Sequence, residues 1–386
     1  MPPHDGLTHL KEYDIKDSNV ELIGTEIDHR IKYASAKTEP AWNDGNVAQR
    51  AGLFIWRIED FTVVVWPSDK VGEFHEGDSY IVLHSYKVGE GDQQKLFHEI
   101  FFWLGSKTSQ DEAGTAAYKT VELDEFLGGA ATQHREIQQA PSDAFVSLFP
   151  RLTILRGGVK SGFTHVESEE PRDITTLLRV FKHSTSIVVV EVDPTWQSLD
   201  DGDVFVLDKG EKIWVWQGAK CSPMEKAKAA QVVHDMIIAK HVDVEVVSQL
   251  ESRSRVVVGL LGGQDIGQHE FKAPCPVSST LSNRPNKLLR LSDASGNLSL
   301  DVVKEGQQIT RGDLDSKDVF LLDVSGSVWV WRGLNASQRE RASWLKVAQL
   351  YIRQLQDVPE SYLTPLASVL EGNETPSFRK ALEASK

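Results

Sequence analysis

The sequence predicts an α+β protein made of three copies of one unit, each a central mixed β-sheet flanked by a long and a short helix. Two observations carry this prediction. The strand motif GDSYIVL, which starts at Gly77, returns as GDVFVLD from Gly202 and as KDVFLLD from Lys317. The block FFWLGSKTSQDEA returns as VWQGAKCSPMEKA and as VWRGLNASQRERA. A repeat of this kind indicates the architecture before any single motif does.

The divisions of the chain follow from these repeats and from composition. Scattered charges and prolines predict an N-terminal arm that docks on the first repeat, whereas a run rich in glycine, proline and serine predicts a linker before the third. Strands rich in aromatic and β-branched residues open each repeat. The predicted boundaries are the arm at 1–50, repeat one at 51–160, repeat two at 161–262, the linker at 263–286 and repeat three at 287–386.

The first long helix is predicted between Thr108 or Ser109, as N-cap, and the glycines Gly128 and Gly129. Small apolar residues at helical spacing are expected to pack on a sheet, namely Ala113, Ala116, Ala117 and Val121. Tyr118, Thr120 and Leu123 then form a second, mixed face that could meet a partner. A surface helix with a few tolerated apolar residues explains this stretch equally well.

Composition limits the class of protein. The 386 residues, 40% hydrophobic and 25% charged, suit two to four globular domains. A net charge of -14 argues against a nucleic-acid partner, because neutralising phosphates requires basic clusters. The chain has only Cys221 and Cys275, no stretch as long as a membrane span, and no apolar signal-peptide core. We expect a cytoplasmic protein without a transmembrane segment.

A pair of carboxylates recurs in every repeat. Asp78, Asp203 and Asp318 open a strand, and an acidic residue lies seven positions after a strand-ending glycine, at Glu112, Glu225 and Glu340. Two carboxylates repel one another unless a hard cation such as calcium binds between them. A turn aspartate and a helix N-terminal glutamate would explain one copy without a metal. Recurrence in three copies favours calcium.

Two further stretches resemble known functional motifs but lack residues that those motifs need. The segment 200–211 has acids at both ends but lacks the oxygen ligands and the turn glycine of an EF-hand. His134, Arg135 and Glu136 follow a helix end without a positioned nucleophile. We therefore predict a protein that acts without catalysis.

The triplicated pattern, together with SQDEAGTAAYKTVELDEFLGG, QHRE and GGVKSGFTHV, resembles the gelsolin family, and the length resembles its three-repeat severin and fragmin type. The resemblance implies a monomeric, cytoskeletal protein that binds actin monomers and filaments. It would sever filaments, cap their barbed ends and nucleate new ones when calcium binds. The alternatives are a calcium-dependent capping or sequestering protein that does not sever, and a calcium-sensing scaffold with another partner.

The resemblance also implies calcium ligands at matching positions. The internal ion of the first repeat would be held by Asp78, Glu112 and the carbonyls of Gly77 and Val159. A second ion, shared with an actin carboxylate, would be held by Asp124 and the carbonyls of Gly129 and Ala131. The later ions would be held by Gly202 carbonyl, Asp203 and Glu225, and by Lys317 carbonyl, Asp318 and Glu340.

The family's actin contact and lipid regulation can be placed in the same way. Tyr118, Asp124 and Phe163 would meet actin, with the first long helix wedged into its barbed-end cleft. The segment FPRLTILRGG lacks the lysines of phosphoinositide-regulated relatives. We expect only weak phosphoinositide binding, through Arg151, Arg156, Arg179 and Lys182.

Overall fold

Two β-sheets organise the part of the chain that the computed structural model describes. That part comprises residues 36–47, 49–89, 94–158, 175–263, 269–277, 284–324, 326–355 and 363–384. Each of the three repeats contributes antiparallel strands, and one strand that follows a long helix and pairs in parallel. The predicted α+β architecture of mixed sheets with a long and a short helix is confirmed.

The elements follow one order in each repeat, and the first repeat adds two short strands to it. The first repeat contains β1 (Gly52–Glu59), β2 (Thr62–Val65), β3 (Glu73–His75), β4 (Ser79–Val88), β5 (Lys95–Leu104), α1 (Gln110–Phe126), β6 (Ala131–Ile137), α2 (Asp143–Val146) and β7 (Leu152–Leu155). The second contains β8 (Thr176–His183), β9 (Ser186–Val192), β10 (Val204–Asp208), β11 (Lys212–Gln217), α3 (Pro223–Lys240), β12 (Asp243–Ser248) and α4 (Ser254–Leu260). The third contains β13 (Lys287–Ser292), β14 (Ser299–Glu305), β15 (Val319–Val324), β16 (Ser327–Arg332), α5 (Gln338–Arg353), β17 (Leu366–Leu370) and α6 (Pro376–Ala384).

The recurring glycine at the end of the second hairpin strand has a steric cause. A Cβ atom on Gly105, Gly218 or Gly333 would lie 2.2 to 2.4 Å from a main-chain carbonyl oxygen of the preceding loop. No side chain fits at such a distance. The glycine therefore allows the strand to pass the loop that carries the repeat's aspartate.

Helix α1 begins and ends as predicted but faces the sheet differently. The Ser109 hydroxyl accepts a hydrogen bond from the amide of Glu112 at the N-terminus. Thr120 and Leu123, predicted for an outer face, are fully buried, whereas Ala113, Ala117 and Val121 are half-buried. The inward stripe follows Glu112, Ala116, Thr120 and Leu123 at helical spacing. The apolar pattern of the sequence did not indicate this stripe, because two of its residues, Glu112 and Thr120, are polar.

The sheets of the first and third repeats join into one. Strand β17 pairs antiparallel with β6, which gives a ten-stranded sheet in the order β14-β13-β15-β16-β17-β6-β5-β4-β1-β2. Leu366, which packs under α5, pairs with Arg135, two residues from the Gln133 that bonds to α1. Because paired residues point to the same side of a sheet, α1 and α5 lie on one face.

The second repeat also shares its sheet with the first. Strands β7 and β3 of the first repeat extend it to seven strands, in the order β12-β11-β10-β8-β9-β7-β3. Phe74 and Phe145 of the first repeat share a core with Phe181 and Val188 of the second. The first repeat is therefore packed against both of the others.

The described part of the predicted arm packs on the first repeat. Trp42 is fully buried and meets Trp56 edge-on, with ring centroids 4.9 Å apart. Glu39 pairs with Lys119 of α1 at 2.8 Å. Residues 1–35 and 48 lie outside the described part. Within it, every helix is too short or too polar to cross a membrane.

Candidate metal sites and their surroundings

The first repeat brings its two predicted carboxylates into one buried network. Asp78 is fully buried and accepts hydrogen bonds from the Tyr80 hydroxyl, at 3.2 Å, and from Arg57, at 3.4 Å. The Thr108 hydroxyl donates to Glu112 at 3.2 Å and lies 2.7 Å from the Ser79 hydroxyl, next to Asp78.

A glycine loop closes around Asp78. A Cβ atom on Gly158 would lie 2.3 Å from an Asp78 oxygen, and the amide of Gly77 donates to the carbonyl of Gly157 at 2.8 Å. Carboxylates beside a bare main-chain loop are a donor set that suits calcium. The residues of this site fit the predicted ion, although the predicted ligand Val159 lies outside the described residues.

The third repeat gathers three carboxylates. Glu340 is buried and accepts from the amides of Asp293, at 2.9 Å, and Ser337, at 3.0 Å. Burial raises the pKa of Glu340, and the negative charges of Asp293 and Asp318 raise it further. Among the described residues, no lysine or arginine forms an ion pair with these three acids. Within the described ranges, no three His, Cys, Asp or Glu side chains lie close enough together to hold a metal ion as they stand. A calcium ion would relieve the repulsion, and the set of Asp318, Glu340 and the Lys317 carbonyl stays a prediction.

Sequence reasoning missed Asp293. It lies three residues after Arg290, an arginine that recurs on the first strand of each repeat as Arg57 and Arg179. The first repeat has Asp60 at the same distance from Arg57, whereas the second has Lys182. That recurrence was the signal that could have revealed the third acid.

The second repeat departs from the other two. The Arg179 side chain donates to Asp203 at 2.5 Å, and burial raises the pKa of Asp203 to about 6 although Arg179 opposes this. Glu225 accepts from the amides of Ser222, at 2.6 Å, and Lys182, at 2.9 Å. Glu225 also completes a capping box with Ser222, a feature that it shares with Glu340 and Ser337 of the third repeat. The predicted set of Gly202, Asp203 and Glu225 does not fit calcium in this arrangement, because the Arg179 guanidinium holds Asp203 at 2.5 Å, whereas Arg57 of the first repeat is 3.4 Å from Asp78.

The predicted shared ion site is covered by the third repeat. Asp124 is 6% exposed and accepts from the amide of Ala131, at 3.0 Å, and from the Gln133 side chain, at 2.6 Å. Burial raises its pKa, although the charge of Arg332 acts in the opposite direction. The carbonyl of Gly129 accepts from the Asn373 side chain at 3.1 Å. In this arrangement contacts from the third repeat occupy the predicted ligands.

The junction where β17 pairs with β6 is called the seam below. On the sheet face opposite α1, the seam holds a polar cluster. The Ser377 hydroxyl, at the start of α6, donates a short hydrogen bond to Glu99 of β5. Burial alone would raise the pKa of Glu99, but hydrogen bonds from His134, Ser377 and Thr375 hold it below its ordinary value. His134 stacks on Phe101 with centroids 4.3 Å apart. The hydrogen bond between Ser377 and Glu99 joins the third repeat to the first.

The predicted actin and lipid residues are placed differently from one another. Tyr118 is 52% exposed on α1, whereas Phe163 lies outside the described residues. Arg151 pairs with Asp235 at 2.7 Å and Arg156 pairs with Asp193 at 2.5 Å. Arg179 is only 4% exposed, so it cannot meet a lipid headgroup in this arrangement; Lys182 is exposed.

A family model and three relatives agree on the family that this chain resembles. A family model described as the gelsolin repeat matches residues 63–146, 185–258 and 301–379. Gelsolin-like protein 2 of Lumbricus terrestris is 38% identical over 382 residues, covering 98% of this chain and 100% of that protein. Gelsolin-like protein 1 of the same organism is 37% identical, with 98% and 99% coverage. Severin of Echinococcus granulosus is 36% identical over 386 residues, with 98% and 99% coverage.

Proposed function

Since this chain belongs to the gelsolin family, we propose that it is a calcium-dependent actin-binding protein that severs actin filaments and caps their barbed ends. It does so in the cytoplasm, on the cytoskeleton, by binding rather than by catalysis. The match to relatives named severin and gelsolin-like protein over nearly their full length supports this proposal.

The observation that carries the proposal is the state of helix α1. Its Tyr118 face is open, while its C-terminal end at Asp124 and Gly129 is covered by the third repeat. A helix that must present both Tyr118 and its C-terminal end to actin is therefore blocked until β17 leaves β6. This arrangement supports a closed resting form.

Calcium would supply positive charge that the acidic site of the third repeat lacks and that Arg57, 3.4 Å from Asp78, gives only in part to the site of the first. In the third repeat, Asp293, Asp318 and Glu340 repel one another, which disfavours any state that holds them together without a cation. In the first, Asp78 and Glu112 form the candidate ligand set. A cation that binds the open arrangement better than the closed one shifts the population towards it.

The roles of the repeats follow. Once the seam opens, Asp124 and the carbonyls of Gly129 and Ala131 can contribute to an ion shared with actin. The exposed Tyr118 anchors α1 in an apolar cleft of the partner, as aromatic anchors commonly do. The second repeat, which stays packed on the first through Phe181 and Val188, holds the filament side.

Direct imaging of single actin filaments across a series of free calcium concentrations tests the proposal. We expect new breaks and arrested barbed-end growth above a calcium threshold, and neither in chelator. Arrested growth without breaks would instead support a capping protein. Unchanged filaments, with no cosedimentation at saturating calcium, would refute actin binding altogether.

A further inference from the structure

The guanidinium of Arg179 lies in a cage of oxygen atoms between the second repeat and the segment that follows it. The side chain is 4% exposed. Its Nε donates to Asp203 at 2.5 Å, and one terminal nitrogen donates to the carbonyl of Pro274 at 2.8 Å. The carbonyl of Ala273 lies 3.4 Å from the other terminal nitrogen, and a carboxylate oxygen of Asp200 lies 3.9 Å away.

The chemistry of this cage is that of a cation site. Two carboxylates and two main-chain carbonyls are the ligand types that a hard divalent cation takes. A planar guanidinium with five N–H donors can satisfy the same oxygens, and it stays charged at every accessible pH. The cage therefore already contains its cation, covalently attached to strand β8.

The equivalent arginines of the other repeats hold their aspartates less closely or not at all. Arg57 and Arg290 occupy the same register, opposite Tyr80 and Phe320, as Arg179 does opposite Phe205. Arg57 contacts Asp78 at 3.4 Å and bonds chiefly to Glu59. Arg290 is exposed and, in the described part of the chain, forms no ion pair with Asp318.

The segment attached to Arg179 is bound back onto the second repeat at several further points. The amide of Phe271 donates to Asp201 at 3.0 Å, and the amide of Ala273 donates to the carbonyl of Leu199 at 3.1 Å. The Phe271 ring meets Trp216 edge-on, with centroids 5.4 Å apart. Arg179 thus joins Asp203, the predicted calcium ligand of this repeat, to the segment at Ala273 and Pro274 that leads towards the third repeat.

We propose that Arg179 replaces calcium in the second repeat, so that Asp203 binds no ion and residues 271–277 stay attached to that repeat at every calcium concentration. This inference rests on the proposed function, because it assigns the calcium response to the first and third repeats. The arginine then determines which of the three homologous sites responds.

Calcium stoichiometry measured by isothermal titration calorimetry on the full chain tests the inference. Asp203→Asn should leave the number of bound ions unchanged. Arg179→Met should gain one ion, because the oxygen cage is then empty, and Arg179→Met with Asp203→Asn should lose that gain. Arg290→Met, the matched control, should change nothing. Loss of one ion in Asp203→Asn, or no gain in Arg179→Met, would overturn the inference.

A measurement on the unmodified protein applies even if these variants fail to fold. Hydrogen exchange should find the amides of Phe271 and Ala273 equally protected in calcium and in chelator. A tenfold or greater loss of their protection on adding calcium would contradict a permanent attachment. If the unmodified protein bound no calcium while Arg179→Met bound one ion, the proposed calcium dependence would fall and the inference about Arg179 would stand.

Discussion

Replacing Ser377 with alanine should make the protein respond to less calcium. The Ser377 hydroxyl of the third repeat donates to Glu99 of the first, and the Glu99 side chain is only 8% exposed. In the closed form water cannot replace this donor, whereas after opening it can. The substitution therefore weakens the closed form selectively.

The size of the effect follows from the charge on the acceptor. A hydrogen bond to a buried charged group contributes about 1.5 to 3 kcal/mol. At about 1.4 kcal/mol for each factor of ten, the ratio of closed to open molecules should fall roughly 10- to 100-fold. If opening is linked to two calcium ions, the calcium midpoint falls by the square root of that factor, or at least about threefold.

The assay is the calcium midpoint of filament severing, measured for the parent and for Ser377→Ala. Ser147→Ala serves as the matched control, because the Ser147 hydroxyl donates to the nearby carbonyl of Ala144 on an exposed turn. Its midpoint should equal that of the parent. An unchanged midpoint in Ser377→Ala, in a variant that remains folded, would refute the view that this seam holds the closed form.

Three further changes test other parts of the account. Tyr118→Ala should leave the thermal midpoint of unfolding unchanged, because Tyr118 is 52% exposed. It should weaken actin binding by about 2 kcal/mol, or roughly 30-fold. An unchanged affinity in a binding titration would show that Tyr118 is not part of the interface. Gly218→Ala should lower the free energy of unfolding by about 1 to 3 kcal/mol in a denaturant titration, since its Cβ would lie 2.4 Å from the carbonyl oxygen of Asp201. Gly259→Ala, in helix α4 with no atom within 4 Å, is the control, and an equal loss there would discount the steric argument. Inserting a long Gly/Ser stretch after Ser168, which lies outside the described residues, should change severing little, because the pairing of β7 with β9 holds the second repeat on the first whatever the length of the joining segment. Imaging at saturating calcium would contradict this if severing were lost while monomer binding was kept.

The repeated unit could be predicted from sequence because its signals are local. Gly105, Gly218 and Gly333 recur because a carbonyl oxygen leaves no room for a side chain. The glutamate seven residues later recurs because it is the third helical residue after a serine N-cap, as at Ser222 and Ser337. These constraints lie within one turn or one hairpin, so they leave a pattern along the chain.

The closed arrangement could not be predicted in this way. The pairing of β17 with β6 joins residues more than 200 positions apart, and neither strand carries a signature for it. The partners of Arg179 include the main-chain carbonyls of Ala273 and Pro274, which any residue could supply. The buried side of α1 was misjudged because Glu112 and Thr120 lie on it. In each case the deciding contact depends on tertiary structure.

A reversible lock on the seam tests the central claim most directly. Gln133 and Ser368 pair across β6 and β17, so cysteines at both positions, with Cys221 and Cys275 changed to serine, lie about 5 Å apart at their Cβ atoms, close to disulfide geometry. The measurement is the rate of filament severing at saturating calcium before and after reduction. We predict no severing by the oxidised protein and restored severing in dithiothreitol. Equal rates in the two states would show that the third repeat need not leave the first, and would contradict the account.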